Sequence, residues 1–387
     1  MTRRRRLRLT REGLYFLLVL LSVLVGATVR QLNLLILLGA VLTGPFVFSL
    51  FAGRLALGRF RVERQLPKVL RADQRLAVDV PLTNLRRWLR IWSIVVEDRL
   101  TRADSAELEA SRVGVFFPAV AGGETQRAVY HGYLPQRGRY LFGPLRVSTT
   151  FPLGLVRHSI LVDDQQTLLV HPKLGKLTHD WTKVARQAVA GGQAVQRRGA
   201  MQAEFYGLRD WRPGDNRRWI HWRSSARRGT LVVRQFEEHR SRDLALLVDL
   251  WQPPDPSDAQ QDVTERTVSF VATLIAEGCR QPGRRLFLSL AAVTSLERSG
   301  PASPLFFQQQ MDELALVAPH HDAALPTSLP RALAQLPQSI PTLLVSTRPI
   351  DWQTLQAAAE ERNINLAGRQ IQSVDTSGAD LSRYYQD

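Results

Sequence analysis

Two apolar runs set almost end to end near the N-terminus limit this chain more than any other feature. Gly13 to Val29 carries no charge, and after a break bounded by Arg30 and Asn33 a second run extends from Leu34 to Phe51. As helices of 17 and 18 residues they would reach about 25–27 Å, close to the roughly 30 Å hydrocarbon core of a bilayer. In water both runs would need a core wrapped around them, whereas a membrane takes them as they stand. The sequence therefore predicts a transmembrane hairpin over residues 1–58, with Pro45 able to kink its second helix. A cleaved signal peptide is the rival reading. The second run follows at once, and no clear small-x-small cleavage site lies between.

Arginine placement sets the expected orientation. Six arginines precede the first run, Arg54, Arg59, Arg61 and Arg64 follow or end the second, and only Arg30 lies in the connection. The positive-inside rule then puts both ends, and all the soluble chain, on the cytoplasmic side of the membrane.

Charge needs a separate reading. The net charge is +16, with four lysines against 47 arginines. Such an excess raises a nucleic-acid hypothesis. Its spread along the whole chain argues against one, and an anionic lipid surface is another sink. The single cysteine, Cys279, excludes an intrachain disulfide and any multi-cysteine metal site.

Residues 59–175 read as a β-sandwich-like domain. Leu76 to Leu82 alternates, Ile91 to Val96 is a β-type apolar run, and Gly122-Gly123, Gly138 and Gly143-Pro144 punctuate. Asp163-Asp164 and His171 read as surface or loop residues. Residues 176–203 read as a connector, partly helical around Trp181 to Ala190. From 204 to 387 the pattern changes. Leu244 to Leu250, Arg285 to Ala291 and Thr342 to Ser346 read as buried strands. Thr264 to Gly278, Gln308 to Val317 and Asp351 to Arg362 read as helices, and a last strand is expected over Asn365 to Gln372 as a whole. Strands alternating with helices imply a mostly parallel, two-sided α/β sheet. The expected fold class is thus α+β multidomain.

The densest chemistry lies at 207–229, GLRDWRPGDNRRWIHWRSSARRG, with seven arginines, three tryptophans and two aspartates. Pro213-Gly214 suits a type II turn. Asp215 or Asn216 is placed to cap a short helix carrying Trp219, Trp222 and Ala226 on one side, with Gly229 as its stop. Asp210 and Asp215 are the nearest carboxylates for Arg209, Arg217, Arg218 and Arg223. Two readings stand side by side: an arginine–aspartate network bracing the turn, or a surface that docks a partner, since arginine and tryptophan are common interface anchors.

The order Gly207, Arg209, Trp211, Pro213-Gly214-Asp215, Arg218, Ile220, Trp222, Arg223, Ser225-Ala226-Arg227 resembles the signature of a bacterial family, the domain of unknown function 58. Arg137-Gly138-Arg139-Tyr140 and Pro152-Leu153-Gly154-Leu155 resemble a second landmark of that family, with Phe151 where an aspartate is common. The resemblance implies a membrane-anchored protein with a β-rich domain and a von Willebrand A-like (Rossmann-type) domain, associated with a MoxR-type AAA+ ATPase. Von Willebrand A domains often end their first strand in Asp-x-Ser-x-Ser, whose oxygens hold a divalent cation. Here Asp249 is present while Trp251 and Pro253 replace the serines, so Asp249 is expected to be a remnant and not a metal site.

Catalytic and cofactor motifs are missing from the sequence: no G-x-S-x-G, GxxxxGK[ST], GxGxxG or HExxH occurs. His221 with Ser224 or Ser225 and Asp215 offers the residue types of a triad, but packed too closely on one short helix for a base to be oriented by the acid and aimed at a nucleophile. His320-His321 reads as a loop pair. The expectation is therefore a non-enzymatic membrane adaptor or assembly factor without a cofactor. A nucleic-acid-binding membrane protein and an unrecognised hydrolase centred on His221 are the alternatives.

Overall fold

The computed structural model describes residues 3–386 except 31, 104–110, 182, 184–204, 237–242, 282, 323–326, 338–339, 351, 362–363, 365, 367–368, 370 and 379. It divides into two units, Met1–His171 and Pro172–Asp387.

In the first unit the apolar runs form α1 (Arg11–Arg30) and α2 (Asn33–Ala56), with Pro45 inside α2. Both are long and apolar enough to cross a membrane. They pack as a hairpin, with Phe16 stacked on Phe46 at 6.3 Å. Most of their large side chains stay exposed, among them Leu18, Leu21, Leu37 and Phe48. Apolar surface of that extent calls for lipid or protein around it.

The strands of this unit begin with β1 (Arg3–Leu9), β2 (Phe60–Val62), β3 (Leu70–Arg71), β4 (Arg75–Asn84), β5 (Ile91–Arg102) and β6 (Ser111–Val120). They continue with β7 (Thr125–Tyr133), β8 (Gly138–Phe142), β9 (Leu145–Thr149), β10 (Val156–Val162) and β11 (Gln166–His171). One sheet runs β1-β10-β9-β5-β8-β11-β3 with β6 also on β5, and a smaller one runs β2-β4-β7. Alternation decides which side chains go inward. Leu76, Val78, Val80 and Leu82 of β4 meet Ile94, Val96, Val147 and Ile160 of the larger sheet in one core. The arginine-rich N-terminus, expected only as a flank of the first helix, is itself an edge strand of the larger sheet.

Within this core lies an ionic cluster. Arg64 donates from Nε and Nη2 to the two carboxylate oxygens of Asp98, each at 2.8 Å, and the Tyr130 hydroxyl donates to Asp98 at 2.6 Å. Arg64 and Asp98 are each 4% exposed. Burial, then the Asp98 hydrogen bond, push the Tyr130 pKa up. The Asp164 carbonyl also accepts from Arg64, and His171 is buried. The surface reading of His171 is therefore corrected: it ends β11, where that strand pairs with β3.

The second unit centres on a five-stranded sheet. Its strands are β15 (Leu244–Asp249), β16 (Arg285–Ala291), β17 (Leu296–Pro301), β18 (Thr342–Ser346) and β19 (Ile371–Asp375), ordered β17-β16-β15-β18-β19. All neighbours are parallel except β17, an antiparallel edge that the sequence pattern did not announce. Four short strands form two pairs outside it: β12 (Lys176–Leu177) pairs with β20 (Tyr385–Gln386), while β13 (Phe205–Asp210) pairs with β14 (Val232–Phe236).

Alternate residues of β15 face opposite layers. Leu246 and Val248 pack with Phe270 and Leu274 of the long helix Asp258–Cys279, whereas Leu247 packs with Leu329 and Leu333 of the helix Ser328–Gln335. That second helix is likewise absent from the sequence-based expectation. Trp181, assigned there to a connector, is a core residue packed edge-on to Phe270 at 5.5 Å. The remainder of that connector, 184–203, lies outside the described residues.

Candidate functional site

The signature segment is a hairpin whose connection is folded on itself. Strands β13 and β14 pair antiparallel, with Arg209 opposite Val233 and Asp210 opposite Val232. The Asp215 N–H donates to the Arg212 carbonyl at 3.0 Å, and Gly214 takes φ +104°, as a type II turn requires of its third residue. A 3-10 turn, Arg217–Trp219, and a short helix, Trp222–Arg228, complete the connection.

Asp215 braces the turn and does not cap the helix. Arg209 grips it with two parallel bonds, Nη1 at 2.6 Å and Nη2 at 2.7 Å, and the Arg212 N–H donates to it at 2.9 Å. The Arg209 hydrogen bond and then the Arg212 N–H hold the Asp215 pKa down to about 2. Of the four arginines that the sequence sets near Asp215, Arg209 is the one that pairs with it, because the strand pairing brings Arg209 across the turn. Capping falls to other residues. Asn216 Oδ1 accepts the Arg218 N–H at 3.0 Å, and His221 Nδ1 accepts the Ser224 N–H at 3.2 Å. Trp219 precedes the helix in the 3-10 turn, so the single helical stripe of Trp219, Trp222 and Ala226 does not form.

The helix is fastened to β14 by Ser225. Its buried Oγ accepts the Val232 N–H at 2.9 Å and donates to the His221 carbonyl at 3.1 Å. Ile220, Val232 and Val233 are buried beside it. Outward stand Arg212, Pro213, Arg217, Arg218, Arg223, Arg227 and Arg228, with Trp222 66% exposed. Arg223 and Arg227 lie one helical turn apart on one face. Among the described residues no carboxylate pairs with either. Trp211 is half-buried and its Nε1 has no partner among the described residues. Of the triad residue types, Ser224 Oγ lies 2.9 Å from His221 Nδ1, while the described partners of Asp215 are Arg209 and the Arg212 N–H.

A second cluster sits at the carboxyl end of β15, where neighbouring connections leave the sheet in opposite directions and ligands commonly bind. Asp249 is fully buried. Its Oδ1 lies 2.8 Å from His320 Nε2, and its Oδ2 accepts from Arg348 Nε at 2.9 Å and Ser346 Oγ at 3.1 Å. The Arg348 guanidinium also lies over the Trp251 ring at 5.3 Å. The residues present do not fit a divalent cation: both carboxylate oxygens are engaged by the chain's own donors, and Trp251 and Pro253 bring no oxygen side chains. His320 does lie in a loop, between the helices Pro304–Leu316 and Ser328–Gln335, but it is buried there as a partner of Asp249. Asp249 stands out in the sequence, but His320, Ser346 and Arg348 do not. The one available signal is an aspartate closing a fully apolar strand, which must find donors when buried.

Residues 207–339 match the family described as "Protein of unknown function DUF58", and the match begins at the hairpin just described. A relative, "Uncharacterized protein YeaD" of Bacillus subtilis (strain 168), is 30% identical over 243 residues, 60% of this chain and 58% of YeaD. The chain thus matches less than two thirds of that relative's length. Among solved structures, a beta-glucosidase from Listeria innocua aligns at TM-score 0.21 and 14% identity, covering 29% of this chain and 16% of that one. The putative ApaA protein from Bordetella pertussis aligns at TM-score 0.22 and 14% identity, covering 29% and 92%. Likenesses at these scores carry no argument, and the similarity to DUF58 rests on the sequence match alone.

Proposed function

We propose that this protein is a membrane-anchored adaptor or assembly factor that acts through protein–protein contact and performs no chemistry of its own. In this reading α1 and α2 anchor it in the bacterial inner membrane with both soluble units cytoplasmic, as the arginine asymmetry favours. The second unit is read as von Willebrand A-like, a reading supported by its mostly parallel sheet with helices on both faces. The observation that carries the proposal is the DUF58 hairpin. Asp215, one of its two aspartates, is consumed by an internal brace, while Trp222, Arg223 and Arg227 face outward on a short helix. A rigid aromatic anchor beside fork-shaped cations suits an acidic protein surface. A MoxR-type AAA+ ATPase is the proposed partner on the family resemblance alone.

The test is co-purification of the full chain from detergent-solubilised membranes, with mass spectrometry of the proteins retained alongside it. R223E/R227E should lose an AAA+ partner that the wild type retains, with the soluble units still folded. Retention of the same partner by the double variant removes this face from the proposal. Loss that tracks salt and is replaced by nucleic acid favours the nucleic-acid alternative.

A further inference from the structure

We propose that the outward face of the β1–β10 ladder, formed by Arg6, Arg8 and Arg157, binds the phosphate headgroups of an acidic phospholipid leaflet. The proposal rests on the membrane-anchor reading and adds a specific lipid surface to it.

The N-terminal arginines are not a loose basic tail. Strand β1 pairs with β10 along its whole length, from Arg3 opposite Val162 to Leu9 opposite Val156. Residues of β10 alternate, with Val156, His158, Ile160 and Val162 buried and Arg157 exposed. Directly opposed residues share a face, so Arg8 stands beside Arg157, and Arg6 beside Ser159, on the outward side. Like charges set directly opposite destabilise an antiparallel pair. Among the described residues no carboxylate pairs with Arg6, Arg8 or Arg157. Arg146 on β9, opposite Leu161, has one in Glu97 at 3.6 Å. The sheet thus holds three arginines on one face with no paired carboxylate among the described residues.

Position says what supplies it. Thr10 alone separates β1 from α1. Its Oγ1 accepts the Gly13 N–H at 3.0 Å and donates to the Gly154 carbonyl at 2.6 Å, and its N–H donates to the Leu155 carbonyl at 3.1 Å. The far end of the hairpin is pinned to the same strand, because Gly53 lies so close to the His158 ring that a Cβ would collide with it. At about 3.3 Å per strand residue, Arg8 lies roughly 10 Å from the first residue of α1. That is about one Debye length at physiological salt, within the reach of an anionic leaflet's surface potential. Guanidinium forks match phosphate oxygens in pairs, and here they are fixed in register and need no ordering on binding.

The test uses the full chain in nanodiscs of phosphatidylcholine, with or without one part in three of phosphatidylglycerol. Lipid that survives a mild detergent wash is counted by mass spectrometry. The wild type should retain phosphatidylglycerol in preference to phosphatidylcholine. Arg157→Gln, in β10 and remote from the flank that directs insertion, should lower that preference about fivefold, and R6Q/R8Q/R157Q should abolish it. Arg157→Lys should keep most of it. Inorganic phosphate at millimolar concentration should leave the preference unchanged; displacement by it would mean a soluble phosphate ligand and overturn the proposal. Equal retention of both lipids, or an Arg157→Gln protein that behaves as wild type, also overturns it. A chain that alkaline carbonate strips from discs of either composition fails differently, because it refutes the membrane anchor itself.

Discussion

Arg64–Asp98 and Arg209–Asp215 share nearly the same two-pronged geometry, at 2.8 and 2.8 Å in one and 2.6 and 2.7 Å in the other. Their surroundings differ. The first pair is sealed between two sheets with Tyr130 as a third member, while the Arg209 side chain of the second is 36% exposed and Asp215 fastens a surface turn. In water the partners of a broken pair are resolvated at little cost, whereas in a core the surviving charge has nowhere to go. Identical chemistry is therefore structural in one unit and local in the other. That leaves the exposed arginines around Asp215 available for a partner.

The largest effect that could break this comparison is at Asp98. Asp98→Ala should destabilise the first unit by about 3–5 kcal/mol in chemical denaturation, because it strands the Arg64 charge. Replacing all three members by apolar residues, as in R64M/D98L/Y130F, should recover most of that loss. If it does not, the cluster contributes more than the neutralisation of its own charges.

Asp249 tests whether a buried carboxylate at the carboxyl end of a central strand behaves like the core pair or like the turn. Asp249→Asn keeps its volume and removes the buried negative charge that Arg348 Nε and His320 Nε2 face, so the second unit should lose about 1–3 kcal/mol. Magnesium or manganese should give the wild type no saturable rise in melting temperature, since a ligand that binds only the native state must raise it. A clear shift would show that the Asp249 oxygens exchange Arg348 for metal.

Acid sharpens the comparison at the turn. The folded Asp215 pKa is about 2 against an ordinary 3.8. Its contribution to stability is thus complete above about pH 4 and fades as pH falls toward 2. Protection from amide exchange in residues 205–236, relative to the intrinsic rate at each pH, should fall over that window, and Asp215→Asn should show the lower protection already at pH 6. The smallest expected effect is thermal. R223E/R227E should change stability by less than about 0.5 kcal/mol, as exposed substitutions do. Unfolding of the second unit by this variant would make both arginines internal struts and end the docking proposal for that face.

What the sequence determined by itself was local. The apolar runs become α1 and α2, the Pro213-Gly214 turn closes where its residue types demand, and the strands at 285–291 and 342–346 form where their apolar runs lie. Each of these is decided by backbone preference or by burial within a few residues. Only the tertiary structure decided which charges meet. Asp249 finds His320 and Arg348 from 71 and 99 positions away, and Asp215 takes Arg209 because a strand pairing delivers it. The arginine-rich N-terminus has no strand pattern of its own and becomes β1 through a ladder to β10, about 150 residues on. An arginine can reach any carboxylate near it, so spacing along the chain does not choose among partners; the packed backbone does.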